Sequence, residues 1–409
     1  MLGDMRWQIS RFVPRSAPAV LVVLLVAAMA AFAAVSHLVT RFNLNQQARA
    51  RKLFARGLAD QNAGDLNAAV DDFRAALTGD SSNSQYQLAL GRALRDTGDP
   101  RQLDEAKSYL QDLWQRAPED GTINLALARV AARRGSIEDA FRYYHNAMYG
   151  VWNSDSEANR RKARLELIEF LLQKNARVAA QPELMALAAT LPSNPELHLQ
   201  VAQLFAQDQD YGNALSQYEQ VLRADRNNSH AMAGAGEAAF NLGKYRTAEE
   251  YLRMVVGARP EDTESRRLLD STSLILSTDP FVRRISDAER NRRVKEAWLK
   301  AGERLKSCGQ AQTGRPQLST EQNSSTQRLA TVQPNVPSAP DSLAELQDQW
   351  NDMKQDILRL HSSAETDLPD AIMDLVFKIE QQTAVECGDP QGTDLALLLT
   401  SRNRDSADQ

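Results

Sequence analysis

The residues of this chain able to do chemistry are two cysteines, five histidines and a set of arginines. Cys308 and Cys387 each precede a glycine just past a helical stretch, and neither belongs to a Cys-x-x-Cys pair. They therefore build no zinc module. Two readings stay open: unrelated thiols, or a disulfide closing a loop of about 80 residues, for which chain entropy allows ~4 kcal/mol or more. A disulfide would also favour an oxidising compartment. His37, His145, His198, His230 and His361 stand apart, none with a second ligand three or four residues on, so no metal site is readable. No phosphate-binding Gly-x-x-x-x-Gly-Lys-Ser/Thr loop, Gly-x-Gly-x-x-Gly turn or Gly-x-Ser-x-Gly elbow occurs. Paired acids such as Asp71-Asp72 and Glu249-Glu250 fall on solvated helix faces. The expectation is a non-enzyme with no catalytic residue, cofactor or small-molecule substrate.

The elements behind these residues are helical. Alanine, leucine, glutamine and arginine dominate the 409 residues, and isoleucine is sparse. Charged residues make up 25% and nearly cancel, to −5, so wholesale nucleic-acid binding is not suggested. Between Ala17 and Val39 every side chain is apolar, small or neutral. At ~1.5 Å per residue a helix of that length spans the ~30 Å hydrocarbon core of a bilayer. Arg6, Arg11 and Arg15 precede it in a basic tail over 1–16, and Trp7, Phe12 and Phe42 suit an interfacial belt. The competing reading is a cleaved signal peptide with Ala31-Phe32-Ala33 as the cleavage site. The length and flanks of the apolar run favour a single-span anchor. Arg41, Arg49, Arg51, Lys52 and Arg56 follow the span, and a literal positive-inside count places the body in the cytoplasm. The cysteines argue for an extracytoplasmic, periplasmic body, which is the orientation favoured here.

Behind the span the chain repeats. Ala69, Ala106, Ala140, Ala180, Ala214 and Ala248 are spaced 37, 34, 40, 34 and 34. The longer spacings hold insertions near Pro100–Leu103 and Asn153–Asn159. Four residues after each alanine comes Phe73, Leu110, Tyr144, Leu184, Tyr218 or Leu252. Twelve after comes Ser81, Pro118, Trp152, Pro192, Arg226 or Pro260; five before the alanine a turn glycine recurs at Gly64, Gly135 and Gly243, with Gly98 in the repeat that carries an insertion. The strings Gly64-Asp65-Leu66-Asn67-Ala68-Ala69, Tyr211-Gly212-Asn213-Ala214-Leu215 and Gly243-Lys244-Tyr245-Arg246-Thr247-Ala248 resemble the tetratricopeptide repeat, over about 210 residues from Ala50 to Pro260. The resemblance implies an all-α fold: a right-handed α-α superhelix of about six repeats over 45–276. The fourth repeat is degenerate, with Asn175 for glycine and polar Arg164 in its first helix. Glu264–Leu276 reads as a capping helix, with Leu268, Leu269 and Leu274 facing back and Glu264, Arg266, Arg267 and Asp270 outward.

In tetratricopeptide arrays the first helices line a concave face that holds a partner peptide or helix. Carried over by register, this implies a groove of Arg51, Arg92, Arg95 and Arg129, then Glu166, Glu169, Gln200, Gln203 and Glu237. Arginines there can hold a partner's carboxylates or phosphates bidentately. A solvated face with no specific role is the simpler alternative. The Lys/Asn clamp by which some relatives grip a terminal carboxylate is absent. His198 falls at a helix-packing position and His230 near the groove.

Past the array, a basic helix over 277–309 carries an apolar stripe of Val294, Trp298, Ala301 and Leu305. It can lie on a membrane or, preferably, pack on neighbours. Gln310 to Pro340 reads as a disordered linker. Leu343, Leu346, Trp350, Met353, Ile357 and Leu360, then Leu368, Ile372, Leu375 and Ile379, predict a helical hairpin within 341–409, closing on the basic helix and followed by a tail. Asp341 or Ser342 caps its start. Together these readings describe a membrane-anchored scaffold that binds a protein in its groove and lipid through 17–39, in a bacterial envelope. The alternatives are a secreted adaptor and a non-catalytic subunit of an envelope-processing enzyme.

Overall fold

The computed structural model describes residues 17–313, 342–360 and 367–407. The basic tail over 1–16, most of the expected linker and His361 lie outside the described residues. Every regular element among the described residues is a helix, eighteen in all. The chain divides into two compact units, residues 1–183 and 184–409, with the division inside α8 (Arg177–Ala188).

The first unit holds α1 (Ala17–Ala63), α2 (Leu66–Gly79), α3 (Ser84–Thr97), α4 (Pro100–Arg116), α5 (Gly121–Arg133), α6 (Ile137–Tyr149), α7 (Ser156–Gln173) and the start of α8. From α1 to α7 each helix packs on the next, and α3 also lies against α5, so first helices of neighbouring repeats stack side by side. The helices start where short polar side chains replace missing backbone partners. Asp65 accepts from the Ala68 N–H, Asn83 from Gln85 and Tyr86, and Asp120 from Thr122 and Ile123. They turn where the chain enters the left-handed region, at Gly64, Gly98 and Gly135 (φ 84°, 75° and 73°). Asn175 takes the same conformation in the fourth repeat (φ 56°).

The repeat alanines are the closest contacts of the fold. Ala69, Ala106, Ala140 and Ala180 are completely buried, and so are the bulky Phe73 and Leu110. A Cβ added at Gly57 would stand 2.8 Å from the Phe73 ring, and one at Gly91 2.8 Å from Leu110 Cγ. The small residue on a first helix thus receives the large residue of its second helix. The insertion after α6 is fastened by a two-residue bridge: the Gly121 N–H donates to Val151 O and the Val151 N–H to Glu119 O, both at 2.8 Å.

The expected anchor and the first helix of the first repeat form one helix. α1 runs without interruption for 47 residues, ~70 Å at ~1.5 Å per residue. Its large apolar side chains from Leu21 to Val39 are all exposed, whereas Ala50 is buried against the array. Among the described residues this is the one helix long and apolar enough to cross a membrane.

The second unit continues the pattern with α9 (Pro195–Gln207), α10 (Tyr211–Ala224), α11 (Ser229–Asn241), α12 (Tyr245–Ala258) and α13 (Thr263–Thr278). Ala214 and Ala248 are fully buried. The turn positions are Gln209 and Gly243, both left-handed (φ 65° and 71°). Next come α14 (Asp287–Thr313), α15 (Leu343–Asp352), α16 (Lys354–Arg359), α17 (Leu368–Cys387) and α18 (Gly392–Ala407).

The capping helix differs from expectation. α13 buries Ser265, Thr272 and Ile275, while Leu268, Leu269 and Leu274 are half-buried. It is no free end, because α18 covers it: Ala396 packs with Tyr245 and Ile275, and Leu399 with Leu274 and Leu276 nearby. The residues expected as a tail therefore include a packed helix. The basic helix starts at Asp287, leaving Arg283 and Arg284 before it, and extends to Thr313. Several of its cations are matched along its own surface, Arg292 by Glu289 and Glu296, and Lys300 by Glu303. Its apolar stripe is buried with Leu346, Trp350, Ile357, Leu360, Ile372, Leu375 and Ile379 in one core. Trp298 and Trp350 stack at 4.4 Å, close enough that a Cβ on Gly302 would collide with Trp350. Ser342 caps α15 in a reciprocal capping box with Glu345. Cys308 and Cys387 are disulfide-bonded, joining the C-terminal part of α14 to the end of α17.

Candidate partner-binding face

The face built by the first helices differs in the two units. In the first, α3 and α5 bring three guanidinium groups together. Arg92 and Arg95 stand three residues apart on α3 and so share one of its faces. Arg129 comes from α5, and α7 answers it with Glu166. Arg129 Nε and Nη2 donate to Glu166 at 2.7 and 2.6 Å, a bidentate pair. Donating to Glu166 raises the Arg129 pKa despite its burial. Tyr144 Oη reaches the same carboxylate at 3.5 Å, and burial, then the Glu166 charge, push the phenol up. Arg95 pairs with its neighbour Asp96, Nε to Oδ1 at 2.8 Å, which leaves its Nη1 buried without a hydrogen-bond partner.

Arg92 has no such answer. It makes no hydrogen bond or ion pair among the described residues, and its Nε is buried. Burial lowers its pKa, Arg129 and then Arg95 lower it further, and Asp96 and Asp120 each pull the other way more weakly. Arg51, at the other end of the expected basic stretch, is exposed on α1. Glu169 is exposed on α7.

In the second unit the face carries little charge. Gln203 on α9 and Glu237 on α11 are exposed, and Gln200 is half-buried. A Cβ on Gly234 would stand 2.2 Å from the Tyr218 ring, so α11 rests on that ring at a glycine. Burial, then Glu237, push Tyr218 up to about 12. His198 Nδ1 lies 2.7 Å from Gln217 Oε1, between α9 and α10.

Several paired groups were not singled out by spacing alone. Arg74 on α2 binds Glu105 on α4 (Nε to Oε1, 3.1 Å), and Lys107 on α4 binds Asp139 on α6 (3.2 Å). Arg56 on α1 is paired with Asp72 on α2. The repeat register held the signal: Glu105 and Asp139 each directly precede a repeat alanine, while Lys107 follows one. The polar Arg164 of the degenerate repeat also finds its reason, since its Nε donates to Glu183 at 3.1 Å and His145 Nε2 lies 3.0 Å from the same carboxylate. Among the described residues no group of three or more His, Cys, Asp or Glu could hold a metal ion.

Helix pairs joined by left-handed turns, with a buried alanine and a large residue four positions on, define the class: an all-helical repeat scaffold. Family models of the tetratricopeptide repeat match residues 54–100 and 205–271, so the chain carries tetratricopeptide repeats. PilF of Pseudomonas aeruginosa is similar at 15% identity and TM-score 0.40, over 55% of this chain and 99% of that one. PilW, a widely conserved type IV pilus biogenesis factor, is similar at 15% identity and TM-score 0.40, over 54% and 98%. YrrB, a TPR protein with an unusual peptide-binding site, is similar at 16% identity and TM-score 0.37, over 48% and 96%. No curated protein matches the chain significantly. Tetratricopeptide proteins generally mediate protein–protein interactions as non-catalytic scaffolds.

Proposed function

We propose that this chain is a membrane-anchored scaffold of a bacterial envelope, holding a protein partner on the face of its first helices, with its body outside the cytoplasm. The continuity of α1 carries the reading. A helix whose large apolar side chains from Leu21 to Val39 are exposed, and which buries Ala50 a few turns later in the first repeat, has one half fitted to lipid and the other to protein. Under this reading the array stands directly on the bilayer, because no loop separates span from repeat. Confinement to the membrane raises the local concentration of a partner held there. The Cys308–Cys387 disulfide supports the orientation, since such bonds persist in oxidising compartments.

The reading is tested in spheroplasts expressing the full chain. Protease added outside is expected to degrade the body, and the mature N-terminus is expected to lie ahead of Ala17. A protected body contradicts the orientation. A mature N-terminus after Ala33 contradicts the anchor and supports the secreted adaptor.

A further inference from the structure

We infer that Arg92, with Arg95 beside it, is the receptor for a single carboxylate on an acidic segment of the polypeptide held by this face; the inference rests on the scaffold reading above. The observation behind it is an imbalance among otherwise matched charges. Arg129 is held by Glu166 in a bidentate pair, and Arg95 has Asp96. Asp120, the other carboxylate acting on Arg92, is committed to the first turn of α5, where it accepts from the Thr122 and Ile123 N–H groups. Of these three clustered arginines, Arg92 is the one left with neither ion pair nor hydrogen bond among the described residues.

Arg92 is half-buried with its Nε cut off from water, and a guanidinium partly stripped of hydration without a replacement is costly, the more so with two like charges nearby. Folding of the free chain gains nothing from such an arrangement. Binding does, if an anion completes it. Arg92 Nε and Arg95 Nη1 are buried donors without acceptors, on one face of α3. One guanidinium without a counter-charge calls for one negative charge, which a carboxylate supplies and a phosphate dianion exceeds. The forked donors of arginine suit a carboxylate's two oxygens. A peptide side chain is the source that fits, because the same face offers a second, exposed arginine at Arg51 for the rest of an acidic segment.

The test uses the full chain in lipid nanodiscs, with fluorescein-labelled deca-glutamate as probe and deca-glutamine as control. Fluorescence anisotropy is expected to report saturable binding of deca-glutamate only. Arg92→Met is expected to weaken it by about tenfold or more, the scale of a lost charge-assisted hydrogen bond. The same variant is expected to melt at a higher temperature than the wild type, because an unpaired, half-buried charge has been removed. A purely structural arginine gives the opposite pair of results, unchanged affinity and a lower melting temperature, and that outcome overturns the inference. Arg92→Lys provides a check that retains the charge; it is expected to bind more weakly than wild type and more tightly than Arg92→Met. Displacement of the probe by inorganic phosphate at lower concentration than acetate overturns the carboxylate assignment. The scaffold reading fails separately: with a photo-crosslinker at Gln203, loss of all protein crosslinks from the wild type removes that reading, whereas crosslinks retained alongside absent deca-glutamate binding remove only the Arg92 receptor.

Discussion

Glu380 is the residue whose chemistry depends most on where the fold has put it. Its side chain is fully buried on α17, and neither oxygen has a hydrogen-bond partner. Arg304 Nε lies 3.3 Å from Oε2, but its hydrogen bonds go to Thr383 Oγ1 at 2.8 Å and Gly388 O at 2.9 Å. Arg304 is also shared with Asp394 on α18, at 3.6 Å. Burial, and next the Asp394 charge, push Glu380 from 4.5 up to about 8 against the pull of Arg304. Asp394 is raised too, chiefly by burial, with Lys300 and Glu303 acting on it from α14. The native chain therefore keeps a proton that the unfolded chain releases near pH 4.5. The contribution of Glu380 to stability is fullest below that pH and declines as pH rises towards about 8, by an amount on the order of a few kcal/mol. Denaturant titrations at pH 5, 6.5 and 8 are expected to show the decline in the wild type and a flatter profile in Glu380→Gln, which should be the more stable chain at pH 8. Equal slopes in the two proteins would contradict this account of Glu380. Nothing in the local sequence marks this glutamate, because its environment is made by α14 and α18. Arg92 was visible as a position on the face, but its lack of a partner was not, since that depends on Glu166 and Asp96 being taken.

At the scale of elements, the periodic patterns were the legible part. Alanines at a 34-residue interval placed the helix pairs, and stripes of three and four placed α14, α15 and α17 in one core. Two features escaped. The sequence Leu397-Leu398-Leu399 after Gly392 is too short a pattern to announce α18, yet that helix covers α13. The boundary between the apolar run and the first repeat also vanished, because nothing between Val39 and Ala50 breaks a helix. The disulfide at the end of α17 gives a prediction at this scale. It closes a sequence separation of 79 residues, so its removal is expected to cost up to about 4 kcal/mol through the entropy of the unfolded chain. The core beneath it does not depend on the bond: Trp350 Nε1 donates to Trp298 O at 3.1 Å, and Val294, Ala301 and Ile379 are completely buried. Cys387→Ser is expected to lower the denaturant midpoint while leaving the native tryptophan emission unchanged. A shifted native spectrum would mean that the disulfide shapes the core as well as constraining the unfolded chain.

For the molecule as a whole, one helix is exposed along its apolar part and packs into the first repeat at Ala50, and the first helices present different chemistry in each unit. The first unit presents Arg51, Arg92 and Arg129 with its charges mostly answered; the second presents Gln203 and Glu237. Sequence register placed these positions on first helices because the repeat fixes which residues face together. It could not distinguish a binding face from a solvated one, since the two have the same periodicity and differ only in what occupies them. Site-specific photo-crosslinking in native membranes makes that distinction most directly. Benzoylphenylalanine is placed at the exposed first-helix positions Arg51, Glu169, Gln203 and Glu237, and for comparison at exposed Val178 on α8 and Arg253 on α12. The scaffold account predicts discrete protein crosslinks from the first-helix positions and none from the second-helix positions. Crosslinks confined to Val178 and Arg253, or equal from both sets, would contradict it.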